Sequence, residues 1–249
     1  MRKSVDLDVI ERFLHDTAIG GAGLRLRDED RKKARELEGL LPEIARALGR
    51  APSPMLVDAA CGSGWVGLAA LALLDVPALR VIAIERDPKK ATRASTLAPE
   101  ALRDRHVVHT SDVADVSAWP AAPDIVVALH ACGDASDHVI ARAAAVSARH
   151  ILVAPCCVAS TLPLSLVAAT KADRLGLPRP GPIRRRFVES FVLGARLLTM
   201  ESLGYTTEAV AFVGETVTPY NVVLRGRRGR DLPRIERAAI ELARLTSVA

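Results

Sequence analysis

The chain has 249 residues, of which 49% are hydrophobic and 3% aromatic, and it carries 34 Lys and Arg against 29 Asp and Glu. This length and apolar content allow a substantial core and exclude a wholly disordered chain. Acidic residues near the start argue against a secretory signal, and no run approaches the ~18 to 20 apolar residues that span a bilayer. Four cysteines are too few for a disulfide scaffold. We therefore expect a soluble cytoplasmic protein with reduced thiols.

The net charge of +5 is concentrated in the last third of the chain. Residues 1–173 are nearly neutral, whereas residues 174–249 contain 13 Arg and 7 acidic residues. Arginine outnumbers lysine 28 to 6 over the whole chain, a ratio that compositional bias would also produce. If the protein has an electrostatic partner such as nucleic acid, we expect that partner to bind at residues 174–249.

Two helices are predicted before the first strand. Residues 6–16 fit a short helix, and Gly20–Gly23 fits a flexible link after it. Residues 28–48 fit a longer helix, whose apolar side chains recur with helical spacing at Leu37, Leu40, Leu41, Ile44 and Leu48. We therefore predict an N-terminal helical cap at residues 1–50, followed by a main domain at residues 51–249.

From residue 55 onward, short apolar runs alternate with helical stretches. Helices are predicted at 65–75, 88–97 and 136–147, and the predicted strands are Met55–Ala59, Arg80–Glu85, His106–Thr110, Asp124–Leu129 and His150–Ala154. Continuous apolar strands joined by crossover helices are typical of a parallel sheet that is covered on both faces.

The last third follows a different pattern. A helix is predicted at 187–203, followed by two strands close in sequence, Thr206–Val213 and Asn221–Arg225, and a final helix capped by Asp231. Strands this close are expected to pair as an antiparallel hairpin. The predicted fold class is therefore α/β: a Rossmann-like doubly wound sheet, mostly parallel, with an antiparallel C-terminal hairpin and additional N-terminal helices.

The first predicted strand ends in a glycine-rich turn. Gly62, Gly64 and Gly67 form a G-x-G-x-x-G pattern between that strand and the next helix. Such glycines let the backbone approach a ligand, and the helix N-terminus offers free N–H groups. Glu85 ends the next strand, about 20 residues on, where an acid can accept hydrogen bonds from ribose hydroxyls. The context favours a nucleotide site over a glycine turn that binds no ligand.

An acidic residue before the turn indicates the kind of nucleotide. Asp58 lies four residues before Gly62, and its carboxylate suits an amino-bearing ligand better than a pyrophosphate. The pattern resembles motif I of the class I S-adenosylmethionine-dependent methyltransferases, over about residues 53–226. The resemblance implies S-adenosylmethionine as the cofactor. It also implies a binding site formed by Asp58, Ala60, Cys61, Gly62, Gly64, Glu85, Arg86, Asp112, Val113 and Leu129. Many members have glycine where this chain has Ala60, which is expected to fit if its φ is negative.

Polar residues and cysteines follow the fourth and fifth predicted strands. His130-Ala131-Cys132-Gly133-Asp134 follows the fourth strand, and Pro155-Cys156-Cys157 follows the fifth. In this architecture substrates meet the cofactor beyond the carboxyl ends of the strands. The combination is similar to a methyltransferase-like subgroup that includes proteins with a glutathione S-transferase C-terminal domain and relatives of RNA-modifying methyltransferases. The basic segment Arg31–Arg35 also resembles the helix that precedes motif I in that subgroup.

Three kinds of chemistry are open to the predicted catalytic residues, which are His130, Cys132, Asp134, Cys156 and Cys157. His130 or Asp134 would deprotonate or orient an acceptor hydroxyl or amine. In a second mechanism, a cysteine would attack a pyrimidine ring whose carbon is then methylated, as in the RNA cytosine-C5 methyltransferases. Zinc ligation is the third possibility, but the adjacent cysteines and the absence of C-x-x-C spacing argue against it, so no metal is expected. Simple packing explains these cysteines equally well, and it is the favoured role of Cys61.

Structured RNA is the expected substrate. The candidate phosphate contacts are Arg184, Arg185, Arg186, Arg225, Arg227 and Arg228. The same arginines would also fit a solvated surface without a partner. A small-molecule acceptor is the second candidate, which a closed apolar pocket without a basic rim would indicate. A third candidate is a non-catalytic module that keeps the cofactor fold. A dehydrogenase is the least favoured function, because of Asp58.

Overall fold

The computed structural model of the chain describes residues 5–19, 25–49 and 51–247. Gly20–Gly23, predicted to be a flexible link, lies outside the described residues. Within the described ranges, no helix combines the length and apolarity that a membrane crossing requires.

Helices and strands alternate along most of the described chain. The α-helices are α1 (Leu7–Leu14), α2 (Asp28–Leu48), α3 (Trp65–Leu73), α4 (Pro88–Leu97), α5 (Ala135–Ala145), α6 (Pro163–Arg174), α7 (Pro182–Ser202) and α8 (Leu232–Thr246). The strands are β1 (Met55–Ala59), β2 (Arg80–Glu85), β3 (His106–Thr110), β4 (Ile125–Leu129), β5 (His150–Ala154), β6 (Tyr205–Ala211) and β7 (Val222–Arg228). A π-helical turn at His15–Ile19 continues α1.

The strands form a seven-stranded sheet in the order β3-β2-β1-β4-β5-β7-β6. Strands β1 to β5 are parallel to one another, whereas β7 pairs antiparallel with both β5 and β6. The chain runs outward from β1 to β3 and then returns to β4 beside β1, so the strand order reverses between β1 and β4. A reversal of this kind leaves a crevice at the carboxyl ends of the two strands. The predicted fold class is confirmed, including the antiparallel hairpin.

Each face of the sheet is covered by helices. On one face α1, α2 and α3 share a core with the strands, in which Leu41 and Leu56 are fully buried. On the other face α5 and α7 pack on the sheet through buried residues such as Ile140 and Met200. Strands covered on both faces need apolar side chains at every position, which explains their continuous apolar runs. The boundary between cap and main domain at residue 50 stays a prediction.

Two helices after β5 differ from the sequence expectation. No helix is predicted where α6 forms, and α7 begins at Pro182 rather than at residue 187. Both helices have a proline in their first turn, where its fixed φ suits the helix and its missing N–H has no role. The buried side chains of α6 are small, namely Ser165, Ala168 and Ala172, so they give little apolar periodicity to detect.

The parallel strands define two edges of the sheet. The carboxyl edge consists of the last residues of β1–β5 and the loops that follow them, and the amino edge consists of the first residues of those strands. Leu129 pairs with Ala154 at the ends of β4 and β5, so the loops after both strands meet at the carboxyl edge. Because His150 at the start of β5 pairs with Arg227, the end of β7 lies at the amino edge.

Candidate functional site

A cavity of about 830 Å³ lies at the carboxyl edge. The loops after β1, β2, β3 and β4 and the first turns of α2 form its walls. Its lining includes most of the predicted site residues, namely Asp58, Ala60, Cys61, Gly62, Glu85, Arg86, Asp112, Val113, Leu129, His130, Cys132 and Asp134. Among the predicted residues, Gly64, Cys156 and Cys157 do not line it.

The glycine turn brings the backbone from β1 into α3 under the cavity. Gly62 and Gly64 have φ values of +58° and +74°, in the left-handed region that glycine adopts without strain. Gly67 serves a different purpose, because a Cβ there would lie 2.6 Å from Cγ1 of Val81. The absence of a side chain at Gly67 therefore lets α3 pack directly on β2.

Ala60 corrects the sequence expectation about this turn. Its φ is +53°, so the negative φ on which an unstrained fit of alanine depended is not present. The left-handed region costs an L-residue with a Cβ roughly 1–2 kcal/mol, and glycine escapes that cost. Ala60 is thus a strained residue at the cavity wall, which agrees with the preference for glycine in the family that the sequence resembles.

Glu85 closes the turn from the neighbouring strand. Its carboxylate accepts hydrogen bonds from the backbone N–H of Gly62 at 2.8 Å and from that of Asp87 at 2.9 Å. The side chain is buried and lines the cavity. A carboxylate has about four acceptor positions, so two remain for a ligand such as a ribose diol.

Asp58 is buried beneath the turn. One carboxylate oxygen accepts a hydrogen bond of 2.8 Å from the backbone N–H of Gly67. Burial raises the pKa of Asp58 to about 7, although the hydrogen bond from Gly67 opposes the shift, and the nearby charge of Glu85 adds to it. A positively charged ligand group beside Asp58 would therefore favour its ionised form.

The other predicted cofactor residues lie around the same cavity. Burial raises the pKa of the Cys61 thiol, so this cysteine is a protonated part of the wall rather than a nucleophile. Asp112 accepts a hydrogen bond of 2.8 Å from the backbone N–H of Ala114 and lies 3.8 Å from the guanidinium of Arg86. Both charged side chains are largely exposed at the mouth of the cavity.

His130 is held by a buried glutamate from α2. Its Nε2 lies 2.9 Å from Oε2 of Glu36, whose side chain is 2% exposed. Because a carboxylate only accepts, Nε2 carries the hydrogen, and in the neutral ring Nδ1 is then the acceptor nitrogen. The backbone N–H of His130 also donates to the carbonyl of Ala154, and its φ is +64°. Strained residues of this kind cluster at functional sites.

Arg196 of α7 fixes the loop that carries the predicted catalytic residues. Its guanidinium is buried and binds both carboxylate oxygens of Asp137, at 2.8 and 3.0 Å. It also donates to the carbonyl of Gly133 at 3.0 Å. A forked guanidinium that binds a carboxylate and a carbonyl together holds both in a defined position. Arg196 therefore ties the loop after β4 to α5 and α7.

The cysteines after β4 and β5 lie together. Cys132 and Cys156 form a disulfide, which contradicts the expectation of reduced thiols at these two positions. Cys157 is free, and its Sγ lies 3.9 Å from that of Cys156. In the disulfide form neither Cys132 nor Cys156 is a thiolate, so a cysteine-nucleophile mechanism through them would first require reduction.

Asp134 lies away from the contacts that hold His130 and from the cysteines. Its side chain is 74% exposed, and a carboxylate oxygen lies 3.8 Å from Nε2 of His138. The residue is the N-cap of α5. Although Asp134 lines the cavity, no described side chain is positioned to hold it as Glu36 holds His130.

The arginines predicted to contact RNA are mostly engaged within the protein. Arg184 binds Asp173 at 2.7 Å and the carbonyl of Ala169 at 2.8 Å. Arg225 pairs with Glu43 and Glu208. The remaining four are distributed as follows: Arg185 is 3.7 Å from Glu189, Arg228 lies over the ring of Tyr205, and Arg186 and Arg227 are exposed. Since β7 ends at the amino edge, the structure does not bring Arg225, Arg227 and Arg228 to the cavity.

A different set of basic residues surrounds the cavity. Lys33 of α2 and Lys90 and Arg93 of α4 line it, and we call these three residues the basic rim. Lys90 and Arg93 are exposed and Lys33 is half-buried. None of the three forms an ion pair with another described side chain. Exposed Arg31 and Lys32 extend the positive surface along α2.

Sequence reasoning missed Glu36, Arg196 and most of the basic rim. Lys33 lies in the basic segment that the sequence singles out, but Lys90 and Arg93 carry no distinctive signal. Glu36 and Arg196 do leave a trace. Glu36 directly precedes the buried Leu37, and Arg196 follows the buried Ala195 on α7. A charged residue on the apolar face of a helix indicates an internal partner.

Comparison with known proteins gives the family. A family model described as a methyltransferase domain matches residues 32–161, which is more than half of the chain. The chain belongs to this methyltransferase family. It is a methyltransferase that uses S-adenosylmethionine. The match begins within α2 and ends after β5, so it includes Glu36, the glycine turn and both cysteine loops.

Solved structures of methyltransferases share the fold. Magnesium protoporphyrin IX methyltransferase (ChlM) from Synechocystis PCC 6803, solved with bound SAH, is 14% identical with a TM-score of 0.51, over 90% of this chain and 99% of that chain. The S-adenosylmethionine-dependent methyltransferase SibL, in its apo form, is 18% identical with a TM-score of 0.52, over 85% of this chain and 61% of that chain. At this identity the likeness concerns the fold alone. The chain matches none of the curated proteins with which it was compared.

The cavity of this methyltransferase has the groups that S-adenosylmethionine needs. Glu85 has free acceptor positions for a ribose diol, and Asp58 provides a buried carboxylate for an ammonium group. At Gly62 a Cβ would meet no atom within 4 Å, so the space above the turn is open to a ligand. The residues present therefore fit the cofactor.

Proposed function

We propose that this methyltransferase transfers a methyl group to structured RNA. The observation that carries the proposal is the basic rim. Lys33, Lys90 and Arg93 place positive charge, without internal ion pairs among the described residues, beside the cavity that fits the methyl donor. Phosphates are the polymeric anions that such a surface attracts most strongly. A cytoplasmic location, expected from the sequence, is part of the same proposal.

Two further observations support an RNA acceptor. A small-molecule enzyme would be indicated by a closed apolar pocket, whereas this cavity is lined by charged residues of both signs. The first turns of α7 also extend beyond the carboxyl edge, because Arg186 lies ten residues, about 15 Å, before Arg196. Arg186 is exposed and belongs to the predicted RNA contacts. The resemblance to the subgroup with relatives among RNA-modifying methyltransferases points the same way.

We assign the cofactor to the residues around the glycine turn. Glu85 would bind the ribose hydroxyls, Asp58 the amino group, and the loop of Asp112 and Val113 the adenine. When bound, S-adenosylmethionine supplies an electrophilic methyl group on a sulfonium. Removal of water around it would fall to the apolar walls formed by the buried Val113 and the half-buried Leu129.

His130 is the residue that we assign to the acceptor. Glu36 holds the hydrogen of its ring on Nε2, so Nδ1 accepts a hydrogen bond from the acceptor hydroxyl or amine. That hydrogen bond orients the acceptor lone pair toward the methyl group, and alignment of reacting atoms is the main contribution that a protein makes to such a transfer. The intact Glu36–His130 pair also argues against a non-catalytic module, since a buried carboxylate without a role would be costly to retain.

Label transfer tests the acceptor class. The full chain is incubated with S-adenosylmethionine that carries a labelled methyl group, together with total RNA, protein or metabolites from the source cell. We expect label in the RNA fraction that ribonuclease releases, and far less label in the same time when His130→Asn replaces the wild type. Label that enters only the metabolite or protein fraction would overturn the RNA assignment.

A further inference from the structure

We propose that Cys132, Cys156 and Cys157, when reduced, bind one zinc ion through three thiolates. Their Sγ atoms lie within 4.8 Å of one another, although the cysteines come from two loops that are distant in sequence. The site is separate from the residues assigned to the cofactor, and its occupancy does not depend on the acceptor being RNA. We call these three residues the thiol triad.

The geometry of the adjacent pair answers the main objection to such a site. Neighbouring cysteines are often too constrained to bind one ion together. Here the Sγ atoms of Cys156 and Cys157 are 3.9 Å apart. Two thiolates on a tetrahedral zinc, each with a Zn–S bond of about 2.3 Å, are separated by roughly 3.8 Å. The observed separation of this pair is therefore already that of two zinc ligands.

The third ligand, Cys132, lies in the loop after β4, and β4 pairs with β5. Leu129 and Ala154 are opposite each other in register, so the loops after β4 and β5 start side by side. The backbone N–H of His130 donates to the carbonyl of Ala154, and Arg196 holds the carbonyl of Gly133. These contacts on both sides of Cys132 keep its loop against the end of β5. The framework that brings Cys132 within bonding distance of Cys156 does not rely on the disulfide alone.

The surroundings of the triad suit an accessible ion. Cys132 is exposed, and Cys156 and Cys157 are half-buried, so zinc has an entry path. Cys132 also lines the cavity. Zinc sites with three protein ligands and an open fourth position are the kind found at reaction centres, whereas structural sites use four. An ion bound by the triad would therefore lie at the wall of the cavity to which Cys132 belongs.

The disulfide is the metal-free form of the same cluster. Opening it requires two electrons and two protons, one of each for Cys132 and Cys156. A phosphine reductant supplies the electrons and is oxidised to the phosphine oxide with oxygen from water. Zinc binding to the three thiols then forms three Zn–S bonds and releases three protons.

Metal titration of the full chain tests the proposal. The protein is reduced with a metal-free phosphine under an inert atmosphere and titrated with Zn²⁺ against a chromophoric chelator, and in parallel with Co²⁺. We expect one equivalent of zinc, and a Co²⁺ spectrum with thiolate charge-transfer bands and the visible bands of tetrahedral cobalt. The oxidised protein, with its disulfide intact, should bind neither ion.

Serine variants assign the ligands. Cys132→Ser, Cys156→Ser and Cys157→Ser should each lose stoichiometric zinc binding, whereas Cys61→Ser, a free cysteine outside the triad, should retain it. The intensity of the Co²⁺ charge-transfer bands counts thiolate ligands and applies to any variant that circular dichroism shows to be folded. If the reduced wild type binds zinc no more tightly than the triple serine variant does, the proposed zinc site is wrong. If Cys157→Ser binds zinc as tightly as the wild type does, Cys157 is not a zinc ligand and the triad is wrong.

Discussion

The two edges of the sheet use charged side chains in opposite ways. At the carboxyl edge, several charges are buried or have no described ion pair: Asp58 is 1% exposed, Glu36 has one oxygen without a hydrogen-bond partner among the described residues, and the basic rim forms no described ion pair, whereas Arg86 lies 3.8 Å from Asp112. Toward the amino edge, Arg225 and Arg228 of β7 are engaged within the protein, whereas Arg227 is exposed. Arg225 pairs with Glu43 and Glu208 in the middle of the hairpin.

This difference shows that net charge along the chain does not reveal where unpaired positive charge lies in the fold. Residues 174–249 have a large excess of arginine, but their position in the structure engages much of it in internal pairs. The nearly neutral remainder contains the basic rim, whose charges face the cavity. Ion pairs that are satisfied within the protein add little to the field that a polyanion meets.

The largest difference in activity between the two edges is expected when one histidine at each edge is substituted. His130 follows β4 at the carboxyl edge, and His150 starts β5 at the amino edge. We expect His130→Asn to lower kcat about a hundredfold, because misplacement of the acceptor by a short distance has an effect of this size. Asparagine tolerates the left-handed backbone of this position, so the loop should persist. Single-turnover methyl transfer measures the change.

Two controls accompany this variant. His150→Asn should leave kcat unchanged, since its side chain lies on the opposite edge. Glu36→Gln should lower kcat by a smaller factor than His130→Asn, whereas Glu43→Gln, which changes a buried glutamate of the same helix, should not alter it. Equal losses of kcat in Glu36→Gln and Glu43→Gln would mean that α2 matters only for stability.

The second prediction concerns the affinity for S-adenosylmethionine and compares two glutamates from different strands, Glu85 of β2 and Glu208 of β6. Glu85→Ala should weaken S-adenosylmethionine binding about thirtyfold, because a hydrogen bond to a charged group contributes about 2 kcal/mol. Glu208→Ala, which removes an exposed acid of β6, should bind as the wild type does. Calorimetry with S-adenosylmethionine measures both affinities. Wild-type affinity in Glu85→Ala would refute the assignment of the ribose to β2.

Asp58 predicts a pH dependence of cofactor binding. Its pKa of about 7 means that the free protein holds a proton there at about pH 6, and the bound ammonium group favours the ionised form. Binding must therefore release that proton, and affinity should fall as pH decreases below about 7, by at most about tenfold per pH unit. Above about pH 7 this dependence disappears. Asp58→Asn should bind weakly with no such slope between about pH 5.5 and 7, and a retained slope would assign it to another group.

How far the sequence predicts the molecule depends on whether a feature is local. The strands of the parallel sheet and the glycine turn follow from short apolar runs and from backbone requirements at Gly64, so they are predicted nearly to the residue. Fold class and cofactor follow from these local signals. The condition for an unstrained alanine at position 60, a negative φ, is not met, because the turn, not the residue type, determines the backbone there.

Contacts between distant residues could not be predicted in the same way. The Glu36–His130 pair joins residues 94 apart, and Arg196 reaches back 59 residues to Asp137. The disulfide between Cys132 and Cys156 depends on the register of β4 and β5, which sequence spacing does not reveal. The position of the β7 arginines relative to the cavity also depends on topology, because an antiparallel strand carries its last residues to the edge opposite the glycine turn.

The smallest expected effect concerns RNA affinity, and it tests which of the two edges binds RNA. Lys90→Ala and Arg93→Ala should each weaken RNA binding several-fold, because single phosphate contacts contribute modestly, and should lower the slope of log affinity against log salt by about 0.7 to 0.9 per contact. Arg227→Ala, which removes an exposed arginine at the amino edge, should change neither quantity. Filter binding over a range of salt concentrations measures both.

If Arg227→Ala weakens binding and lowers the slope while the α4 variants do not, RNA contacts the amino edge, and the basic rim no longer supports the proposed substrate. If all three variants behave alike, the charge acts through the overall field rather than through contacts at the cavity.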